Sequence, residues 1–170
     1  MIDKLFGALE DIYFTVISEP TPDDDESSNL QTFSNLELVP LIEEFKSLAK
    51  NEIYIGKSGN QFKLLKLATL FLNYIMYEDD GILSNDEKEM INSYIQSKLA
   101  RLISTEKKEL LEVFNIRIKL NEISQYILSH ELPYRSIDMI LDKLIDHTNN
   151  QPRYFQPLEN LYTMLIESKI

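Results

Sequence analysis

Apolar residues recur at intervals of three or four along almost the whole chain, and this periodicity constrains the fold more than any other feature of the sequence. Such spacing places apolar side chains on one face of an α-helix and leaves polar side chains on the other. The clearest run is Ile2, Leu5, Phe6, Leu9, Ile12, Tyr13, Val16 and Ile17. Seven runs of this kind predict an all-α fold, a single-domain bundle of about seven helices over residues 1–170.

The helix starts can be placed from turn and capping residues. After the first helix, we expect new helices to begin near Pro40, Phe62, Ser84, Ser104, Ser136 and Pro157. The third, over 62–77, is apolar on every side and should lie at the centre of the bundle. The fifth should extend to about Leu132, with an irregularity around Asn115 or Asn121.

Two segments depart from the helical pattern. Residues 19–34 contain two prolines and the acidic run Asp23, Asp24, Asp25 and Glu26, which predicts a flexible acidic loop. Residues 52–60 could form a short hairpin, because Ile53 and Ile55 alternate with polar residues before a turn that contains Gly56 and Gly59.

The net charge of −11 makes nucleic acid an improbable partner, because affinity for a phosphate backbone comes largely from lysine and arginine. Residues 1–40 contain nine acidic residues and only one basic residue, Lys4. This asymmetry favours a basic protein as the partner. A homodimer stays open, since a bundle can bury a spare apolar stripe against a second copy.

The composition also bears on the compartment. The chain has no cysteine, which excludes disulfides and thiolate metal sites and fits a reducing environment. The first residues lack the pattern of a secretory signal. The most apolar stretch, residues 64–77, is shorter than the roughly 20 residues that span a bilayer. We therefore expect a cytoplasmic protein with no membrane partner.

The turn between the third and fourth helices carries the most information. Ser84 with Glu87 three residues later forms a capping box, and Gly81 supplies a left-handed residue at the end of the preceding helix. The same acids offer a weak divalent-cation site, with Asp80 and Glu87 as ligands and Glu78 and Asp79 as further ones. With Gly81 as the sixth position of a calcium loop, however, Met76 takes the first, which argues against tight binding. No other cofactor is expected.

The helix and the motif Asp80-Gly81-x-Leu83-Ser84-x-x-Glu87 resemble the central signature of TerB-like domains, the acidic all-α domains named for tellurite resistance proteins. The resemblance implies a fold of about seven helices and an interaction module associated with bacterial stress or defence. It implies a possible link to metal, and it does not imply an enzyme.

Three further residues, Arg153, Tyr154 and Phe155, stand between two prolines and could form an exposed binding cluster, although packing of the last helix is the alternative. His130 and His147 lie near predicted helix ends, where they could cap terminal carbonyls.

Three functions remain open. The first is a non-enzymatic module that binds a protein through the N-terminal acids (Asp23 to Glu26) and the acids of the Glu78–Glu87 turn. The second is an immunity-type or inhibitor protein that blocks a basic toxin or nuclease. The third is a small metal-dependent enzyme that uses Asp79, Asp80 and Glu87.

Overall fold

The computed structural model describes residues 2–17, 38–50, 52, 61–148 and 151–168. These residues form eight α-helices and one short 3-10 turn, which confirms the predicted all-α bundle. The helices are α1 (Ile2–Ile17), α2 (Leu38–Ala49), α3 (Gln61–Asp80), α4 (Asn85–Lys98), α5 (Ser104–Val113), α6 (Leu120–Ser129), α7 (Tyr134–Thr148) and α8 (Phe155–Ser168), with the 3-10 turn at Pro152–Tyr154.

Helix α3 is the centre of the bundle, as its apolar periphery predicts. It packs against α1, α5, α6, α7 and α8. Every residue from Leu67 to Met76 is buried, and Thr69 and Asn73 are the two polar residues in that stretch. Thr69 satisfies its hydroxyl within the helix by donating to the carbonyl of Lys66 at 2.7 Å, so Asn73 is the polar group of α3 that needs a partner from another element.

Helices distant in sequence pair around this centre. Helix α1 packs on α7 as well as on α3, and α2 packs on α8 and α7. The α1–α7 contact is close at Gly7, where an added Cβ would lie 3.2 Å from Nδ1 of His147. Beside this contact, Asp11 accepts from His147 Nε2 at 3.2 Å and pairs with Lys143 at 3.3 Å. His147 therefore joins two helices, and the capping role predicted for it is wrong.

The single fifth helix predicted from Ser104 to about Leu132 is two helices, α5 and α6, separated by residues 114–119. The cause is the buried amide of Asn73 on α3. Its Nδ2 donates to the carbonyls of Val113 and Ile116, at 2.8 and 2.9 Å, and its Oδ1 accepts from the backbone N–H of Ile118 at 2.9 Å. These bonds replace the helical bonds that the chain gives up at the break.

Helix starts agree with the sequence where the cap is local. Ser84 is the N-cap of α4, as expected. Pro40 lies in the first turn of α2, where its missing N–H leaves no bond unmade. Ser136 does not cap α7, which begins two residues earlier, and its side chain is buried. Instead, Glu52 reaches α7 across the fold and accepts from the backbone N–H groups of Tyr134 and Arg135.

Two expectations fall on segments that the structure does not describe. The acidic loop predicted over 19–34 lies outside the described residues, and so does the hairpin predicted over 52–60, except for Glu52. Among the described helices, none combines the length and the apolar character needed to span a bilayer.

Candidate functional site

The turn after α3 has the geometry that its sequence predicts. Gly81 adopts φ +87°, and its N–H donates to the carbonyl of Tyr77 at 2.8 Å. Ser84 and Glu87 form the capping box: the Ser84 N–H donates to Oε1 of Glu87 at 2.8 Å, and the Glu87 N–H donates to Oγ of Ser84 at 3.2 Å. The side chain of Glu87 therefore caps the start of α4.

Two of the other acids in this turn are paired with arginines of the same chain. Glu78 bonds to Arg117 in the α5–α6 connection at 2.7 Å. Asp79 pairs with Arg153 of the 3-10 turn, whose Nε donates to Oδ2 at 3.0 Å. Asp80 ends α3, and its side chain lies outside the described residues. The pairing weighs against the turn as an acidic docking surface.

Three of the four predicted cation ligands have side chains that the structure describes, and these three do not form a site. Glu78, Asp79 and Glu87 each have a different partner, namely Arg117, Arg153 and the backbone of Ser84. Within the ranges that the structure describes, no three histidine, aspartate or glutamate side chains lie close enough to hold a metal ion.

The prediction that Arg153, Tyr154 and Phe155 form an exposed cluster is wrong for the central residue, Tyr154. Tyr154 is 1 % exposed, and Phe155 packs against the core. Arg153 lies over the Tyr154 ring, 5.4 Å from its centroid, while it holds Asp79. These residues anchor α8 to the end of α3. The other acids predicted to bind a partner, Asp23 to Glu26, lie outside the described residues.

A charged cluster that could not be predicted from the sequence lies between α2 and α7. Nζ of Lys46 is 3.1 Å from Oδ2 of Asp138 and 2.7 Å from Oδ1 of Asp142. Burial lowers the pKa of Lys46, but the two carboxylates more than offset this effect, and the pKa lies above its ordinary value. Burial and the charge of Asp138 raise the pKa of Asp142 to about 6. One ammonium cannot neutralise two carboxylates, which explains why one of them protonates easily.

Tyr162 of α8 adds an unusual feature to this cluster. Its hydroxyl is fully buried and has no hydrogen-bond partner among the described residues. Burial, together with the negative charges of Asp142 and Asp138, raises the pKa of the phenol well above its ordinary value. The cluster is a partly exposed group of ion pairs at the α2–α7 contact, with the buried Tyr162 ring of α8 behind it.

The described part of the molecule does have a concave surface, between α6 and α8. We call it the α6–α8 groove, and its volume is about 360 Å³. Its floor is apolar and consists of the buried side chains Ile127, Leu132 and Leu165. Leu128 and Met164 stand on its walls, and Leu128 is 62 % exposed. The rest of its lining consists of Glu52, Ser124, Glu131, Tyr134 and Ser168.

One groove residue has a costly backbone conformation. Glu131 has φ +54°, in the left-handed region that favours glycine. It occupies the glycine position of a Schellman motif, in which the N–H of Glu131 donates to the carbonyl of Leu128 and the N–H of Leu132 donates to that of Ile127. A glutamate at this position carries a conformational penalty of about 1 kcal/mol, so the carboxylate is placed at the groove against the local backbone preference.

Sequence reasoning missed the groove. The floor residues follow the ordinary helical period, and nothing in the period reveals that α6 and α8 leave a gap. Leu128 was the one available signal, because it lies beside the apolar stripe of α6 and not within it. His130, by contrast, behaves as predicted: its Nδ1 lies 3.0 Å from the carbonyl of Tyr126 at the end of α6.

No protein-family model, curated protein or solved structure matches this chain. The resemblance to TerB-like domains therefore stays a prediction.

Proposed function

We propose that this protein is a non-enzymatic helical module that binds another protein through the α6–α8 groove. The observation that carries the proposal is the exposure of Leu128 above a concave apolar floor. A large apolar side chain that stands in water beside a recess loses that exposure when a partner fills the recess, and this loss favours association.

The groove is better suited to binding a partner than the Glu78–Glu87 turn or the Lys46 cluster. In the Glu78–Glu87 turn, the carboxylates of Glu78 and Asp79 already hold arginines of the same chain. In the Lys46 cluster, the one ammonium already pairs with both carboxylates. The groove, in contrast, offers apolar surface together with a few polar groups at its edge, which is the usual composition of binding sites.

The resemblance to TerB-like domains gives this proposal a context. It supports an interaction module of a bacterial stress or defence system, located in the cytoplasm. The ion pairs that the turn makes with Arg117 and Arg153 fit a structural role for the motif within such a module.

Site-specific photo-crosslinking in the native cell tests the proposal. A photoreactive residue replaces Leu128 in one variant and Ile103 in another. Ile103 is a matched control, because it is 63 % exposed and lies in the α4–α5 connection. We expect a discrete protein adduct from position 128 and none from position 103. The partner would then be identified by mass spectrometry and its binding reconstituted with purified proteins.

Two results would contradict the proposal. One is an absence of adducts at position 128 under conditions in which the variant is folded and the crosslinker is active. The other is the same set of adducts from both positions, since that would indicate random collision and not docking.

A further inference from the structure

The lining of the α6–α8 groove has one sign of charge. Among the residues that the structure describes, it contains two carboxylates, Glu52 and Glu131, and no lysine, arginine or histidine. Helices α6 and α8, which form its walls, contain no lysine or arginine at all. Glu52 is engaged with the start of α7, but Glu131 is exposed. The edge of the groove is therefore negative, although its floor is apolar.

Helix ends strengthen this negative potential. The last turns of α6 and α8 both line the groove, through Leu128 and Ser168, and Glu52 follows three residues after the end of α2. The C-terminal end of a helix carries a partial negative charge equivalent to about half an elementary charge, because its last carbonyls point outward. The lining also contains Tyr134, the first residue of α7, but the partial positive charge of that helix start is met by the carboxylate of Glu52. The three C-terminal ends therefore favour a cationic group in the groove.

We propose that the occupant of the groove is an amphipathic helix of the partner protein, with lysine or arginine residues flanking its apolar face. This inference rests on the proposed function and specifies the chemistry of the partner. A groove between two helices accepts the apolar face of a third helix, which projects side chains at intervals of three and four residues. The flanking cations would then lie near Glu131 and the helix ends.

The placement of Glu131 is the independent support for this proposal. Glycine at this position would relieve the backbone, but it would remove the exposed carboxylate at the groove. A glutamate in a left-handed conformation fits a role for its charge at the edge of the groove, because backbone strain of this kind concentrates at functional sites.

The test uses defined peptides and a fluorescent label near the groove. The chain has no cysteine, so Gln125→Cys gives a single labelling position on the exposed side of α6. Three peptides are titrated: an amphipathic Leu/Lys helix, the same helix with Glu in place of Lys, and a Leu/Lys peptide of the same composition without amphipathic order. We expect the label to respond to the first peptide and not to the other two.

Two matched pairs of variants separate docking from general attraction to an acidic protein. Leu128→Ser should weaken binding of the Leu/Lys helix about tenfold or more, through lost apolar burial, and Ile103→Ser should not change it. Glu131→Gln should weaken binding about two- to threefold, as expected for one edge charge, whereas Glu89→Gln, on the exposed part of α4, should leave it unchanged. Thermal unfolding confirms that each variant is folded.

The outcomes distinguish this inference from the proposed function. Equal binding of the Leu/Glu helix, or equal losses in Glu131→Gln and Glu89→Gln, would overturn the inference. The same follows if the adduct at position 128 is a second copy of this chain or a partner without a basic amphipathic segment, but the binding function would then stand. An absence of both adduct and peptide binding would overturn both proposals.

Discussion

The amide of Asn73 offers the sharpest test of how this fold is held together. We predict that Asn73→Leu, which keeps the branched shape of the side chain, removes all three hydrogen bonds to the break between α5 and α6. The carbonyl of Ile116 is partly exposed and can turn to water. The carbonyl of Val113 and the N–H of Ile118 are buried and cannot.

The expected loss follows from these two stranded groups. A buried backbone group left without a partner costs about 1–3 kcal/mol, so the free energy of unfolding should fall by about 4 kcal/mol, within about 2–6. This is a large fraction of the roughly 5–15 kcal/mol by which an ordinary domain is stable. Urea denaturation followed by circular dichroism measures it directly.

Two further variants make the reasoning refutable. Asn92→Leu, on the exposed face of α4, should change stability by no more than about 0.5 kcal/mol. Asn73→Asp would place a carboxylate against two carbonyl oxygens, and its protonated form can donate only once, so this variant should become less destabilised as the pH falls from about 7 to about 5. A loss below about 1 kcal/mol for Asn73→Leu would show that the break does not depend on this amide.

Three other predictions concern stability and are checked by chemical or thermal unfolding. Tyr162→Phe removes a buried hydroxyl that has no partner in the described part of the chain, so it should leave stability unchanged or increase it by up to about 1 kcal/mol; a clear loss of stability would reveal a partner. The pKa of Asp142 is about 6 in the folded chain and 3.8 ordinarily, so the folded chain binds this proton more tightly and the contribution of Asp142 to stability grows as the pH falls through 6. The gain in Tm from Asp142→Asn should therefore be larger at about pH 7 than at about pH 4.5, and the reverse order would contradict the assignment. Glu131→Gly should raise the free energy of unfolding by about 0.5–1 kcal/mol through relief of the left-handed conformation, and a destabilised variant would mean that the carboxylate has a structural role.

Local signals in the sequence were sufficient where both partners are close in the chain. The capping box of Ser84 and Glu87 joins residues three apart, and Gly81 closes the helix that it follows. The helical period identified α3 as central, because an apolar residue on every side requires a neighbour on every side.

The features that could not be predicted depend on tertiary contacts. The break at residues 114–119 depends on Asn73, which is about 40 residues earlier. The start of α7 depends on Glu52, which is 82 residues away, so the nearby Ser136 was a misleading signal. The arginines that hold Glu78 and Asp79 come from two other parts of the chain. A single sequence contains no periodicity from which such pairings can be deduced.

The packing of α1 against α7 has a consequence for synthesis of the chain on the ribosome. Asp11 and His147 are 136 residues apart, and at about 5–20 residues per second their meeting is delayed by roughly 7–27 s after Asp11 is made. During that interval the side of α1 that faces α7, which includes Gly7, is not covered by α7. The nascent chain therefore presents an unfinished apolar surface until α7 is made, which makes α1 the segment where chaperone binding should concentrate.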